Sequence, residues 1–134
     1  MKTKMATYTK ALLLLVVLMG VTACQDDETI YDRIVGRVWV GDLGFGSDND
    51  PIESAVNLGG DGFGTDDQWC YEHNEPMDLL NIRWWIEDGS LFIDYGRLAG
   101  RREIRYVYVS KGRLSGDLYI NNTFFDTVTL EMSN

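Results

Sequence analysis

The sequence predicts an all-β chain, a small antiparallel up-and-down barrel, and three observations predict it. Apolar, β-branched and aromatic residues alternate with polar ones in short runs, turn-forming pairs punctuate those runs, and long 3.6-residue periodicity is missing. Some seven or eight strands joined mostly by short turns make antiparallel neighbours. Closing such a meander removes its exposed edges. A β-sandwich is the alternative architecture for the same pattern.

The elements follow in chain order. IVGRVWVGD reads as a first strand with Val38 and Val40 on one face and Trp39 on the other. SAVNL and WCYE are shorter strands, and the glycine-rich NLGGDGFGTDD between them is expected to bend or bulge. PMDLL from Pro76 is expected to make a single helical turn, the one helical element in the reading. In NIRWWI, Ile82, Trp84 and Ile86 share a face, with Arg83 and Trp85 opposite. Asp88-Gly89 is a hairpin signal leading into LFIDY, where Leu91, Ile93 and Tyr95 line up. EIRYVYVS puts Ile104, Tyr106 and Tyr108 on one face and Arg105 and Val107 on the other. Lys111-Gly112 turns into RLSGDLYI, with Leu114, Leu118 and Ile120 aligned. Asn121-Asn122 turns into FFDTVTLEM, with Phe124, Val128, Leu130 and Met132 aligned.

Ahead of the strands stands a different kind of segment. Lys2, Lys4 and Lys10 precede an uncharged run from Ala11 that ends in Thr22, Ala23 and Cys24, the order of a secretory signal. A bilayer-spanning helix needs about 20 apolar residues, more than this run supplies. Val21-Thr22-Ala23-Cys24 resembles a bacterial lipobox, which implies cleavage before Cys24 and lipidation of Cys24. Two or three acyl chains are needed for a lasting anchor. The acidic tract after it, Gln25-Asp26-Asp27-Glu28, resembles the export signal of Bacteroidota lipoproteins. That resemblance implies a lipid-anchored place in the bacterial outer membrane, facing outside, with the periplasmic face as the alternative. The chain therefore divides into a signal peptide over 1–23, a lipidated cysteine with an acidic tether over 24–32, and a barrel over 33–134.

Of the 134 residues, 12 are Lys or Arg and 21 are Asp or Glu. The signal carries three of the lysines and no acid, so the remainder bears a net charge of −12. A surface so acidic excludes nucleic acid as a partner, since that needs a basic footprint. With Cys24 lipidated, Cys70 has no partner for an intramolecular disulfide, so burial of apolar surface must hold the domain together. Between Trp69 and Tyr71, Cys70 reads as a small buried hydrophobe.

Gly36-Arg37-Val38-Trp39 is similar to the opening of lipocalins, in which a glycine and a tryptophan on the first strand close the barrel floor. Together with the hairpin NIRWWIEDGSLFIDY and RLSGDLYI, the chain resembles small lipocalin-like lipoproteins of Bacteroidota over roughly residues 33–132. The resemblance implies a barrel of eight strands or so with an apolar cup. Here two residues separate Gly36 from Trp39, which sets them on opposite faces of a regular strand.

The sequence offers little chemistry. His73, the one histidine, reads as solvated surface in a polar loop. The pairs Asp66-Asp67 and Asp48 with Asp50 are expected by chance among so many acids. GSDNDPIE and GGDGFGTDD concentrate oxygen ligands but do not fit an EF-hand loop. No metal, cofactor or catalytic residue is expected. The aromatics remain. Trp84 and Trp85 must face opposite ways on a strand, so one of them leaves the core. Trp84, Trp85, Tyr106 and Tyr108 are the candidate contacts for a small apolar or amphipathic ligand or for an envelope protein. The expected function is non-enzymatic binding, with a structural accessory role as the alternative. A ligand cup would need an apolar cavity of roughly 300 Å³ or more.

Overall fold

The computed structural model describes residues 25–133, so Cys24, the signal segment and Asn134 lie outside the described residues. Among the described residues the chain is an all-β, lipocalin-like closed barrel of eight antiparallel strands in up-and-down order, with one short helix. The strands are β1 (Val38–Gly41), β2 (Ile52–Leu58), β3 (Phe63–Cys70), β4 (Glu75–Glu87), β5 (Ser90–Asp94), β6 (Arg101–Ser110), β7 (Arg113–Ile120) and β8 (Thr123–Ser133). Closure comes from β1 pairing with both β2 and β8. Alternate connections fall at opposite ends. The β2–β3, β4–β5 and β6–β7 turns mark the base, and the other four connections mark the mouth.

The three hairpin pairs read from the sequence form as expected. Asp88-Gly89, Lys111-Gly112 and Asn121-Asn122 all have both residues at positive φ, between 49° and 79°. That is the turn whose twist matches antiparallel strands, and Asn, Asp and Gly reach it at least cost. Trp39, Trp84, Leu91, Ile93, Leu114 and Leu118 point inward as their alternation predicts.

The segment expected to be a tether is instead helix α1 (Asp27–Ile34). Asp26 caps it, its carboxylate accepting the Thr29 N–H at 2.8 Å. Asp27 and Glu28 occupy the first turn and Arg33 the last, the charge order the helix dipole favours. Ile30 and Ile34, four residues apart on one face, are completely buried against the barrel. One such pair in eight residues is too short a pattern to register as periodicity.

PMDLL is not a helical turn. It lies in β4, whose first half pairs with β3 alone, because β5 reaches only from Arg83 to Glu87 of β4. Pro76 is tolerated there since the other edge of the strand lacks a ladder partner at that point. The glycine-rich stretch turns the chain at Gly59–Gly62 as expected, but from Phe63 it becomes a regular strand, β3.

Two bulges overturn predicted faces. On β6 the pairing passes from Arg105↔Asp117 to Tyr108↔Ser115, so Tyr106 and Val107 together oppose Gly116. Tyr106 takes φ 55° and turns outward, Val107 and Val109 turn inward, and Tyr108 faces out. Gly116 is required at that spot, for a Cβ there would stand 2.5 Å from the Arg105 carbonyl oxygen. On β8 the register shifts around Phe125, so Phe124 leaves the core side and packs edge-on against Tyr119 at 5.6 Å. Met132 is also partly exposed, whereas Leu130 is buried as expected.

Candidate functional site

The base is sealed. Trp39 is buried and donates its indole N–H to the Ile34 carbonyl at 3.1 Å, joining β1 to α1. Gly36 precedes the strand at φ 72° and donates its N–H to Leu58, so the two-residue spacing to Trp39 bridges the entry into β1 and not one regular strand. Trp84 donates to the Gly59 carbonyl at 2.9 Å and stacks on Tyr31 of the helix. Asp27 accepts the backbone N–H groups of Asp88 and Gly89, and Gln25 brackets Val109 with two bonds of 2.8 and 3.0 Å.

The lumen is filled by an apolar cluster drawn from α1, from the mouth connection and from every strand except β3. From β3 come polar groups instead. Asp66 and Gln68 point inward and are buried. One Asp66 oxygen accepts Ser54 Oγ at 2.8 Å, Tyr95 Oη at 2.7 Å and Gln68 Nε2 at 3.3 Å, while the other has no hydrogen-bond partner. Burial pushes the Asp66 carboxyl above its ordinary value, partly offset by the bonds from Tyr95, Ser54 and Gln68. Burial also raises the Tyr95 phenol, helped by the charge of Asp66. Arg102, buried on β6, is pulled below its ordinary value by burial. Its guanidinium lies 3.9 Å from the Phe45 ring centroid and donates to the carbonyls of Leu43 and Ala99.

Those contacts close the mouth. The β1–β2 connection, residues 42–51, folds across it with Leu43 fully buried and Phe45 edge-on to Tyr95 at 4.8 Å. Gly44 at φ 81° fits between Ile120 and Phe125, where a Cβ would meet Ile120 Cδ1 at 2.7 Å. Of four hollows of about 280 to 510 Å³, three are lined by residues of the base and outer wall. The one of about 280 Å³ reaches Ile82 and Tyr95 between β4 and β5, and is also lined by Arg83 and Asp94.

The structure separates the four aromatic candidates. Trp84 belongs to the base. Trp85 is on the outer wall, stacked on Phe92 at 5.2 Å beneath the Arg101 guanidinium. Opposite facing of the two tryptophans is as expected, but Trp84 is the core member and Trp85 forms an external ladder. Tyr106 is exposed on its bulge, and Tyr108 is half-buried outside β6. They do not share one surface with Trp84. Asp66 and Asp67 also face opposite ways, so they are no catalytic pair.

A second group assembles at the mouth. Cys70 ends β3 facing inward, His73 follows on an exposed turn, and Asp50 arrives from the mouth connection. Cys70 Sγ donates to Asp50 Oδ1 at 3.1 Å. One donor atom from each of the three lies within 4.8 Å of the others, the one such metal-capable group among the described residues. The backbone N–H of His73 pulls the Cys70 thiol down, but the Asp50 hydrogen bond, burial and the Asp50 charge outweigh it and leave the thiol raised. That is the opposite of an activated nucleophile.

Sequence reasoning missed Asp66, Tyr95 and Arg102 as a cluster. The inward alternation Gly64, Asp66, Gln68, Cys70 was the available signal, hidden because the stretch looked like a loop. No protein-family profile, curated protein or solved structure matches the chain.

Proposed function

We propose that the chain is a non-enzymatic binding module, lipid-anchored through Cys24 at the bacterial outer membrane and facing outside, whose barrel mouth docks on another envelope protein. One observation carries the reading. Of the ten large exposed hydrophobic residues among the described residues, six belong to the mouth end: Tyr71, Met77, Leu79, Leu98, Phe124 and Phe125. Scattered apolar residues are ordinary on a surface, but a gathering at one end is characteristic of contact sites.

The lumen supports a protein partner over a small ligand, because side chains already occupy it. The base supports the orientation. Gln25 is tied to Val109, so an acyl group on the preceding residue would emerge from the base with hardly any tether and the mouth would point away from the bilayer. A lipocalin-like lipoprotein is the family this reading favours. The raised Cys70 thiol and the exposed His73 are consistent with binding in place of hydrolysis.

The test is a photo-crosslinking residue at Leu79 or Leu98 in native cells, against one at Tyr106 near the base. An envelope-protein adduct from the mouth positions alone is expected. Equal adducts from Tyr106, no adduct anywhere, or a small molecule retained in native mass spectra would defeat the reading. For the anchor, a clickable fatty acid should label the parent chain and leave Cys24→Ala unlabelled.

A further inference from the structure

We infer that Asp50, Cys70 and His73 form a site for a divalent transition metal of the zinc class at the barrel mouth, with a fourth coordination position open. Neither the fold nor the docking reading requires it.

The local backbone explains how three residues spread over the sequence converge. Cys70 is the last residue of β3, and the following turn is closed by the Asn74 N–H donating to the Tyr71 carbonyl at 3.2 Å, with Asn74 at φ 51°. That reversal returns His73 beside Cys70, a Cys-x-x-His spacing. Asp50 is held by a separate tight turn in which Ser47 and Asp50 exchange backbone bonds of 3.0 and 3.1 Å. Two residues later, Ile52 pairs across the sheet with Cys70 itself. All three donors are thus carried by hydrogen-bonded backbone, as a preorganised site requires.

The distances are near what a metal needs. Around a tetrahedral zinc with bonds of about 2.0–2.3 Å, ligand atoms stand about 3.3–3.7 Å apart. Cys70 Sγ and Asp50 Oδ1 are already at 3.1 Å, and the full set lies within 4.8 Å. The exposed His73 ring is the member free to swing inward.

Donor chemistry selects the ion. One sulfur, one imidazole nitrogen and one carboxylate oxygen suit a borderline-soft cation, while calcium and magnesium demand oxygen alone. A thiolate and a carboxylate neutralise a 2+ ion. Residues 48–53 and 70–78 contain acids but no Lys or Arg to repel it. The three-ligand set with an open position is the arrangement of reactive zinc sites and not of closed structural ones. Bound metal would also pin the mouth connection to the β3–β4 turn.

The test is a cobalt titration of the full-length chain, reduced, metal-free and in detergent. A thiolate-to-cobalt charge-transfer band and intense tetrahedral visible bands are expected, displaced by one equivalent of zinc. Cys24→Ser should keep the sulfur band and Cys70→Ser should lose it. Because Cys70 is buried and its variant could misfold, Asp50→Asn and His73→Ala supply the second arm. Each should keep the barrel's circular dichroism and weaken zinc binding by roughly tenfold or more. The site is overturned by a cobalt spectrum without the sulfur band, by a band that depends on Cys24, or by either Asp50→Asn or His73→Ala binding zinc as tightly as the parent.

Discussion

The two ends of the barrel are built from different materials. At the base, Ile30, Ile34, Trp39 and Trp84 bury apolar surface, and the polar atoms they carry donate to backbone carbonyls. At the mouth, Asp66 and Arg102 are buried polar groups with the half-buried Tyr95 beside them, one carboxylate oxygen has no partner, and hydrophobic side chains stand in solvent. Burying apolar groups with every donor satisfied favours the folded state, whereas buried charge and exposed apolar surface cost stability. An end that carries such costs is the end expected to do something other than hold the fold.

The sharpest way to break this comparison is Trp39→Ala. It removes a fully buried indole and its bond to Ile34, and should destabilise the chain by about 3–5 kcal/mol in denaturant unfolding. A loss comparable to that of a surface substitution would mean that the base is not the stabilising end.

At the mouth, Asp66→Asn tests the buried carboxyl through pH. Its pKa is raised in the folded chain above 3.8, so its favourable contribution is full below that value, in the protonated form. That contribution is lost as pH climbs through the higher folded value. Unfolding measured across this range should show the parent losing stability relative to Asp66→Asn as pH rises. Parallel curves would show that the carboxyl carries no such burden.

The smallest effect is expected from Leu79→Asp. Leu79 is about two-thirds exposed, so stability should change by no more than ~0.5 kcal/mol, while envelope-protein crosslinking from Leu98 should fall away. A large loss of stability would assign Leu79 to the fold and not to contact.

Much of the base was legible in the sequence, and the mouth was not. Trp39 and Val40 alternate visibly, and Asp88-Gly89 announces its own turn, because these are effects of adjacent residues. The helix escaped notice because its buried face is two residues, and its acids, which resemble an export signal, also serve as a cap and a clasp on the β4–β5 turn. Tyr106 escaped because a bulge is decided by the partner strand, where Gly116 leaves room for the fold in β6. Asp50, Cys70 and His73 were each seen as unremarkable, and correctly so in isolation.

The sequence by itself determined an antiparallel all-β chain of short strands, barrel or sandwich, since period-2 alternation and turn chemistry are local and act before any long-range contact. Tertiary structure alone decided that the lumen is filled, that the mouth is covered, and which side chains meet there. Those outcomes depend on register, on the three places where it shifts and on a connection folding back over the sheet. Each is set by contacts between residues tens of positions apart, for which neighbouring residues hold no record.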